Sequence, residues 1–341
     1  MRPFPFSVLV SLPVVVGCGS PLKVSDRSDF GAETESVRAY STGAVVELRL
    51  TSSSAFVDDQ KVDGTSSDEA IFTVDSSEEG VITLRTLKAG EAELVLKQDG
   101  DVVDSRPIVV KDPASIELSL DLKAFKEDDL VPDAVVVDAP LRVLLGRSAR
   151  LAVHVFDDDG DELFGQSVTG IALVDTAWTS DLLFDGPQSF IELSPGPAAA
   201  IDSLLTLSIG GQLDVDVDVI ATPETELERI VLDEEPAGYR GPGRRSVVRA
   251  RGEDAQGRLL LGAPGWSIEG ADGGIGEAVA YNVAWFQSHE LVARIGDVEA
   301  RRQVDADPES VSVVRVGDSC AAAGVGLPLA LLGLLRRRRR S

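Results

Sequence analysis

Leu213-Asp214-Val215-Asp216-Val217-Asp218-Val219 is the stretch that decides the fold. Aliphatic and acidic residues alternate at every position, and successive side chains of a β-strand point to opposite faces of its sheet. The stretch is therefore predicted to form a strand with one face toward solvent and the other in an apolar core.

Short runs with the same period of two recur along the chain, bounded by Gly, Asp, Pro and Ser residues, and this pattern is typical of strands. Long helical periodicity is absent from the sequence. Because 43% of the residues are apolar, the chain can fill buried cores, and we expect an all-β protein. The clearest further strands are predicted over Val45 to Leu50, Val81 to Leu87, Ala92 to Lys97, Leu151 to Phe156 and Ser246 to Ala250.

The three tryptophans, Trp178, Trp266 and Trp285, allow two interpretations. Aromatic residues make up only 5% of the chain, so each tryptophan is expected to fill a core. The alternative is a platform on which sugars stack.

A shift of 97 residues superimposes two segments of the body, and each copy is predicted to form a strand, an Asp-x-x-Gly turn and a second strand. The matched pairs are Gly146 and Gly243, Arg147 and Arg244, Asp157 and Asp254, Gly160 and Gly257, Leu163 and Leu260, and Gly165 and Gly262. Three proline motifs mark expected boundaries, because proline cannot donate to a strand ladder. These motifs are Asp112-Pro113-Ala114, Thr222-Pro223-Glu224 and Asp307-Pro308-Glu309.

The repeated segments resemble bacterial immunoglobulin-like domains, which are common in bacterial surface proteins. Residues 69–74, 80–84 and 89–94 are similar to the late strands of that family, and Asp157 to Gly165 and Asp254 to Gly262 are similar to its early turn. The resemblance implies three tandem immunoglobulin-like β-sandwich domains. Their expected limits are 37–112, 113–222 and 223–307, with an insertion in the second domain around Lys123 to Asp129.

The N-terminus reads as a lipoprotein export signal. Arg2 precedes an apolar stretch from Phe4 to Val16, and a small residue, Gly17, precedes Cys18. The stretch is too short and too rich in proline to span a membrane as a helix, although an anchor or a buried strand is the alternative. We expect a signal peptide over 1–17, cleavage by a signal peptidase, a lipid on Cys18 and a polar leader over 18–36.

The C-terminal segment covers 308–341, and its last part, Cys320 to Ser341, resembles the sorting signal of myxobacterial surface proteins. Cys320 is followed by a small and apolar run to Leu335 and by five arginines, Arg336, Arg337, Arg338, Arg339 and Arg340. The resemblance implies cleavage by a sorting protease near Cys320, which itself receives a lipid. The alternative is an ordinary tail anchor, in which the arginines stop translocation.

The two cysteines both lie at these terminal processing sites. The chain between the two signals, which we call the body, therefore contains no thiol and forms no disulfide. The body is also strongly acidic. Six of the 32 Lys and Arg residues, and none of the 57 Asp and Glu residues, lie in the two signals at 1–17 and 320–341, which leaves a net charge of −31. Such a surface repels nucleic acid, and no nucleic-acid partner is expected.

Asp157-Asp158-Asp159-Gly160-Asp161 is the strongest metal candidate, because Ca²⁺ prefers oxygen ligands. Its glycine is misplaced for an EF-hand, and the related turn at Asp254 keeps the glycine without most of the acids. A turn is therefore expected, with calcium bound by Asp157, Asp159 and Asp161 as the alternative, and no other cofactor is predicted.

No catalytic motif surrounds His154 or His289, the only histidines, and we expect that the protein is not an enzyme. The sequence favours a membrane-anchored protein of the cell envelope, at the outer membrane or cell surface, with a structural or adhesive role. The alternatives are a specific binding protein for a polysaccharide or a partner protein and a spacer subunit of an envelope assembly.

Overall fold

The computed structural model describes residues 22–26, 39–52, 58–120, 134–185, 188–233, 246–268, 271–275, 278–281 and 289–304. Across these ranges the protein is all-β, as predicted. The helical structure that they contain is two 3₁₀ turns, Asp59–Lys61 and Glu224–Glu226.

The first eight strands form two four-stranded sheets, which we name the first sheet pair. One sheet has the order β1-β3-β6-β5 and the other β2-β8-β7-β4. The strands are β1 (Leu22–Asp26), β2 (Ala39–Ser41), β3 (Val45–Ser52), β4 (Val62–Ser66), β5 (Phe72–Glu78), β6 (Val81–Thr86), β7 (Gly90–Gln98) and β8 (Asp101–Lys111).

The second sheet pair repeats this arrangement with additions. Its sheets have the orders β10-β9-β12-β16-β15, with β13 on β12, and β11-β18-β17-β14. The strands are β9 (Ser115–Leu120), β10 (Val135–Val136), β11 (Leu141–Leu144), β12 (Ala149–Phe156), β13 (Glu162–Leu163), β14 (Val168–Leu173), β15 (Trp178–Asp185), β16 (Gln188–Pro195), β17 (Asp202–Ile209) and β18 (Leu213–Thr222).

The third sheet pair consists of one sheet of order β19-β20-β21, in which β24 also pairs with β20, and a second sheet of order β23-β22-β25-β26. The strands are β19 (Arg229–Leu232), β20 (Ser246–Glu253), β21 (Leu259–Leu260), β22 (Gly265–Ile268), β23 (Ala271–Ile275), β24 (Ala278–Tyr281), β25 (His289–Ile295) and β26 (Val298–Val304).

The strand order of the first two sheet pairs is immunoglobulin-like. Written with the letters of that fold, each has one sheet of order A-B-E-D and one of order A′-G-F-C. The A′ strands are β2 and β11, and each pairs in parallel with the last strand of its own sheet pair.

Most of the described buried hydrophobic residues fall into three clusters that follow the three sheet pairs. Phe72, Ile82 and Leu94 belong to the first cluster, and Leu151 and Ile191 belong to the second. Val248, Trp266 and Leu291 belong to the third cluster. Each pair of sheets therefore packs around its own core, as a β-sandwich does.

The decisive stretch behaves as its alternation predicts. Along β18 the three aspartates are exposed, Val217 and Val219 are buried, and Leu213 and Val215 are half-buried. Each of the other five predicted strands overlaps an observed strand, with only Leu87 beyond the end of its strand. Trp178 and Trp266 are buried, which confirms their core role; Trp285 lies outside the described residues.

Two of the three prolines at the predicted boundaries lie between strands of successive sheet pairs. Pro113 lies between β8 and β9, and Pro223 lies between β18 and β19. The predicted insertion around Lys123 to Asp129 and the Asp307-Pro308 motif lie outside the described residues. Within the predicted leader, Leu22–Asp26 pairs with β3 as a strand of the first sheet pair.

Candidate functional site

The repeated Asp-x-x-Gly segment forms a tight turn at the end of β12. Oδ1 of Asp157 accepts hydrogen bonds from the backbone N–H groups of Asp159 and Asp161, at 3.0 and 2.8 Å. The N–H of Gly160 donates to the Asp157 carbonyl at 3.2 Å, and Gly160 has a φ of 85° that favours glycine. The turn is thus built on one buried carboxylate.

The same turn follows β20. Oδ1 of Asp254 accepts from the N–H groups of Gln256 and Arg258, at 2.9 and 2.8 Å, and Gly257 has a φ of 76°. The two turns match bond for bond although their exposed residues differ. The turn-forming role predicted for Gly160 and Gly257 therefore agrees with the geometry.

The cation that neutralises each buried aspartate comes from a different place. Lys111, at the end of β8 in the first sheet pair, donates to Oδ2 of Asp157 in the second. Its Nζ also lies 3.7 Å from Asp159 Oδ2 and 3.5 Å from Asp161 Oδ2. In the third sheet pair the cation is local, because Arg258 Nε donates to Oδ2 of Asp254 at 2.6 Å.

These contacts shift the pKa values of the partners. The hydrogen bond from Lys111 lowers the pKa of Asp157 against the opposing effect of burial, and the backbone N–H of Asp161 adds to the lowering. The same bond raises the pKa of Lys111. Burial raises the pKa of Asp254, but the N–H and guanidinium of Arg258 more than offset it, and the net shift is downward.

A calcium ion at this turn would compete with the Lys111 ammonium for the same carboxylates. Asp157, Asp158 and Asp159 bring carboxylate oxygens within 4.8 Å of one another, as a cation site requires. However, Oδ1 of Asp157 faces two backbone N–H groups and Oδ2 holds the Lys111 ammonium. A calcium ion that used Asp157, Asp159 and Asp161 would have to displace Lys111.

Just beyond the turn, main-chain hydrogen bonds join the first and second sheet pairs. The N–H of Phe164 donates to the Ala39 carbonyl at 2.9 Å, and the Phe164 carbonyl accepts from Ser41 at 3.0 Å. Two residues on, the N–H of Gln166 donates to the Val45 carbonyl at 2.8 Å. Phe164 thus forms a parallel bridge with Tyr40, in the middle of β2.

The second and third sheet pairs are joined in the same way. The N–H of Leu261 donates to the Arg142 carbonyl at 2.7 Å, and its carbonyl accepts from Leu144 at 2.8 Å. The N–H of Ala263 donates to Ser148 at 2.8 Å. Leu261 and Ala263 lie 97 residues after Phe164 and Gln166, so the sequence repeat and the junction repeat coincide.

Side chains cross each junction into the neighbouring core. Phe164 packs against the cluster of the first sheet pair, and Leu261 belongs to the cluster of the second. Leu144, on β11, lies in the cluster of the third. The junctions therefore combine backbone pairing with apolar burial.

A close backbone approach completes the first junction. Gly210, in the turn between β17 and β18, faces the turn after β2, and a Cβ on Gly210 would lie 2.1 Å from the Thr42 carbonyl oxygen. A Cβ on Gly43 would lie 2.5 Å from the Gly210 carbonyl oxygen. Side chains larger than hydrogen do not fit at either position. At the second junction, Arg147 Nε instead donates to Glu224 Oε1 at 2.7 Å.

The second junction also contains a buried guanidinium. Arg249, on β20, is 1% exposed, and its side chain binds Oδ2 of Asp233 and the Leu120 carbonyl of the second sheet pair. Arg251 Nε donates to the other oxygen of Asp233 at 2.7 Å. One carboxylate therefore holds two arginines where two sheet pairs meet.

The His154 side chain contacts polar side chains of two neighbouring strands. Its ring nitrogens lie 2.8 Å from Ser119 Oγ and 2.6 Å from Glu162 Oε1, and the residue is buried between β9, β12 and β13. These contacts link three strands of one sheet. Of the side chain of His289, which lies in β25, the structure describes nothing.

The predicted processing residues, Cys18, Cys320 and Arg336 to Arg340, lie outside the described residues. In the part of the chain that the structure describes, no helix has the length and apolarity needed to cross a membrane.

No protein-family profile and no curated protein is significantly similar to the chain. Among solved structures, domains 4–9 of the surface layer protein SbsC are similar at 13% identity, over 84% of this chain and 47% of that chain, with a TM-score of 0.32. Yersinia pseudotuberculosis InvD is similar at 11% identity over 85% of each chain, with a TM-score of 0.24. Invasin, a bacterial integrin-binding protein, is similar at 12% identity, over 84% of this chain and 60% of that chain, with a TM-score of 0.22.

The chain spans about half the length of the surface layer structure. TM-scores this low do not establish a common fold, and the immunoglobulin-like assignment rests on the strand order.

Sequence reasoning missed the junctions. The signal was present, because the matched positions continue past the turn to Gly165 and Gly262, further than a turn requires. Arg249 also gave a signal as a charged residue inside the apolar run Val247-Val248-Arg249-Ala250.

Proposed function

We propose that the protein is a non-catalytic, membrane-anchored cell-surface protein with a structural or adhesive role. Each sheet pair is one immunoglobulin-like domain, with limits near the predicted 37–112, 113–222 and 223–307, except that the first domain also includes β1, Leu22–Asp26. A lipid on Cys18 and the C-terminal segment 308–341 hold the domains at the outer membrane or cell surface.

The observation that carries the structural role is the repeated junction. A spacer acts through the fixed orientation of its domains, so a repeated junction suits a structural role. Here Phe164 and Leu261 make equivalent backbone contacts with the preceding sheet pair. Backbone pairing at both junctions would hold consecutive domains of a surface protein in fixed relative positions.

The non-catalytic role is supported by how the buried polar groups are used. Asp157 and Asp254 each organise a turn and pair with a cation, and His154 links three strands. Catalytic groups are instead expected in a cleft, with partners left for a substrate. These buried groups serve the fold.

Anchoring is tested at Cys18. The Cys18→Ala variant is expected to lose lipid labelling at the N-terminus and to accumulate as an unprocessed precursor, because the thiol is the group that accepts the lipid. Cys320→Ala is the matched control and should keep N-terminal labelling. Mass spectrometry that finds an unmodified Cys18 within a mature chain would contradict the anchoring.

Surface exposure is tested by protease treatment of intact producing cells, read with an antibody to the first domain. We expect the epitope to disappear from intact cells while a periplasmic marker survives. If the epitope is lost only after the cells are lysed, the domains lie inside the envelope.

A specific binding role is the second candidate, and one loop cluster favours it. Val174 and Ile201 are 74% and 70% exposed on neighbouring loops of the second sheet pair. Asp175 fixes these loops, because its carboxylate accepts from the N–H groups of Ala177 and Ala200 at 2.9 and 2.6 Å. A rigid apolar loop tip suits a protein partner better than a polysaccharide.

This second candidate is tested with a photo-crosslinking residue at Val174. A discrete adduct on producing cells, absent when the same group replaces the exposed Leu87 of the first sheet pair, would support a protein partner. Identical background labelling at both positions would reject it.

A further inference from the structure

We infer that the segment Asp-x-x-Gly-x-x-Leu-x-Gly, at 157–165 and 254–262, is a strand-addition connector. Its partner is the A′ edge of the preceding sheet pair, β2 or β11, and its role is to hold neighbouring sheet pairs in one fixed orientation. The inference concerns the folded chain alone and does not depend on how the chain is anchored.

The backbone of the connector is used as a strand uses it. Phe164 and Leu261 each donate their N–H and accept at their C=O on the same neighbouring strand, at 2.7–3.0 Å. Main-chain pairing of this kind adds a strand to an exposed sheet edge. Because it needs no particular side chain, it tolerates Phe at one junction and Leu at the other.

The side chains of the connector divide between two cores. Leu163 is 4% exposed in the core of the second sheet pair, and its neighbour Phe164 packs against the core of the first. Likewise Leu260 lies in the third core and Leu261 in the second. Successive strand residues point to opposite faces, and here the two faces belong to different sheet pairs. The connector is therefore pinned on both sides.

Gly165 also lies where the first and second sheet pairs approach each other closely. A Cβ at Gly165 would lie 2.8 Å from Cβ of Ala44, in the first sheet pair. At the second junction, a Cβ at Gly262 would lie 3.1 Å from Cβ of Arg147. Close contact with the preceding sheet pair therefore favours glycine at the last position of the repeated motif, in addition to the positive φ of 101° at Gly165 and 157° at Gly262.

The adjacent glycines Gly210 and Gly211 provide a matched test. Both have positive φ, 58° and 68°, in the same turn, so alanine strains the backbone at either position. Only at Gly210 would the new Cβ meet the first sheet pair, 2.1 Å from the Thr42 carbonyl oxygen, because nothing lies within 4 Å of a Cβ at Gly211. Gly210→Ala therefore disturbs the junction and Gly211→Ala does not.

The experiment measures the distance distribution between spin labels at Glu91→Cys and Asp181→Cys, two exposed strand positions in the first and second sheet pairs. The full chain carries Cys18→Ser and Cys320→Ser, which leaves these two labelling sites as its only thiols. We expect one narrow distribution for this background and for Gly211→Ala, and a broadened or shifted one for Gly210→Ala. A broad background distribution, or identical results for the two alanine variants, would overturn the inference.

A second variant guards against misfolding of Gly210→Ala. Phe164→Ala removes the side chain that enters the neighbouring core and leaves Leu163 in its own, so it should also broaden the distribution while circular dichroism stays unchanged. Phe184→Ala is the control, because Phe184 lies on the second sheet pair but is 45% exposed. Equal widths for the two phenylalanine variants would also overturn the inference.

Discussion

Lys111 donates its hydrogen bond to the buried carboxylate of Asp157, which begins the turn of the next sheet pair. The ion pair thus spans the first junction and sits beside the backbone pairing of Phe164. At the second junction Thr222 replaces Lys111 at the same register, and Arg258 neutralises Asp254 from within its own turn. The charges at the two junctions are therefore not interchangeable.

Replacement of Lys111 by Met should loosen the first junction, because Asp157 keeps its turn but loses its cation. We expect a broader label distribution across that junction and a lower midpoint of thermal unfolding. Lys97→Met, near the opposite end of the first sheet pair, is the control and should change neither. A Lys111→Met protein that matches Lys97→Met in both measurements would show that the ion pair does not stabilise the junction.

The first junction should also respond to pH at both extremes. The pKa of Asp157 is lowered on folding, so its contribution is complete above the ordinary value of ~3.9 and is lost as pH falls through the lowered value. The pKa of Lys111 is raised, so its contribution is complete below ~10.4 and is lost as pH rises through the raised value.

Asp159 and Asp161 also face Lys111 and share its charge. The label distribution should therefore stay constant across neutral pH and broaden below and above that range. In Lys111→Met the alkaline broadening should be absent. A broadening that begins near neutral pH would point to a group other than this pair.

The turn and calcium interpretations of Asp157 to Asp161 make different predictions. Gly160→Ala should destabilise the second sheet pair by about 1 kcal/mol with or without calcium, because the cost comes from the positive φ. Nothing lies within 4 Å of a Cβ at Gly160, so no clash adds to this cost. A bound ion would instead raise the melting temperature as its concentration rises.

We expect no such rise, because Lys111 already occupies the carboxylates. A calcium-dependent rise that disappears in Asp157→Ala, Asp159→Ala would establish a calcium site. Asp254→Ala is a useful control in this comparison, because its turn has the same hydrogen bonds but only one acidic residue.

The buried Arg249 should be costly to leave without its carboxylate. Asp233→Ala is expected to destabilise the third sheet pair by about 3–5 kcal/mol, since a buried guanidinium loses the carboxylate that balances its charge. Arg249→Met should cost clearly less, because it removes the charge and fills a similar volume. Chemical denaturation of both variants, with exposed Asp181→Ala as the control, measures the difference. Equal losses for Asp233→Ala and Arg249→Met would contradict this account.

Alternation was sufficient to predict the six strands named from it, because a strand with one face in solvent leaves its pattern in a few neighbouring residues, as Asp214 to Val219 do. The turn at Gly160 was also predictable, since its carboxylate and glycine lie within four residues. Both features depend on local sequence alone. The immunoglobulin-like order followed from resemblance and not from the alternation.

The junctions depend on residues that are far apart in the sequence. Nothing near Lys111 indicates that Asp157 is its partner, and nothing near Gly210 indicates that Thr42 lies against it. The repeat of Leu163 and Gly165 at Leu260 and Gly262 carried the information. The repeat is compatible with a signature of the fold and with a contact between sheet pairs, and the structure shows the contact.

Amide hydrogen exchange at the connectors tests the central claim most directly. The N–H groups of Phe164, Gln166, Leu261 and Ala263 each donate across a junction, so they should exchange as slowly as amides within the sheets, such as that of Leu151. If these four amides exchange as fast as that of Gly100, in the turn between β7 and β8, the sheet pairs are not joined by strand addition.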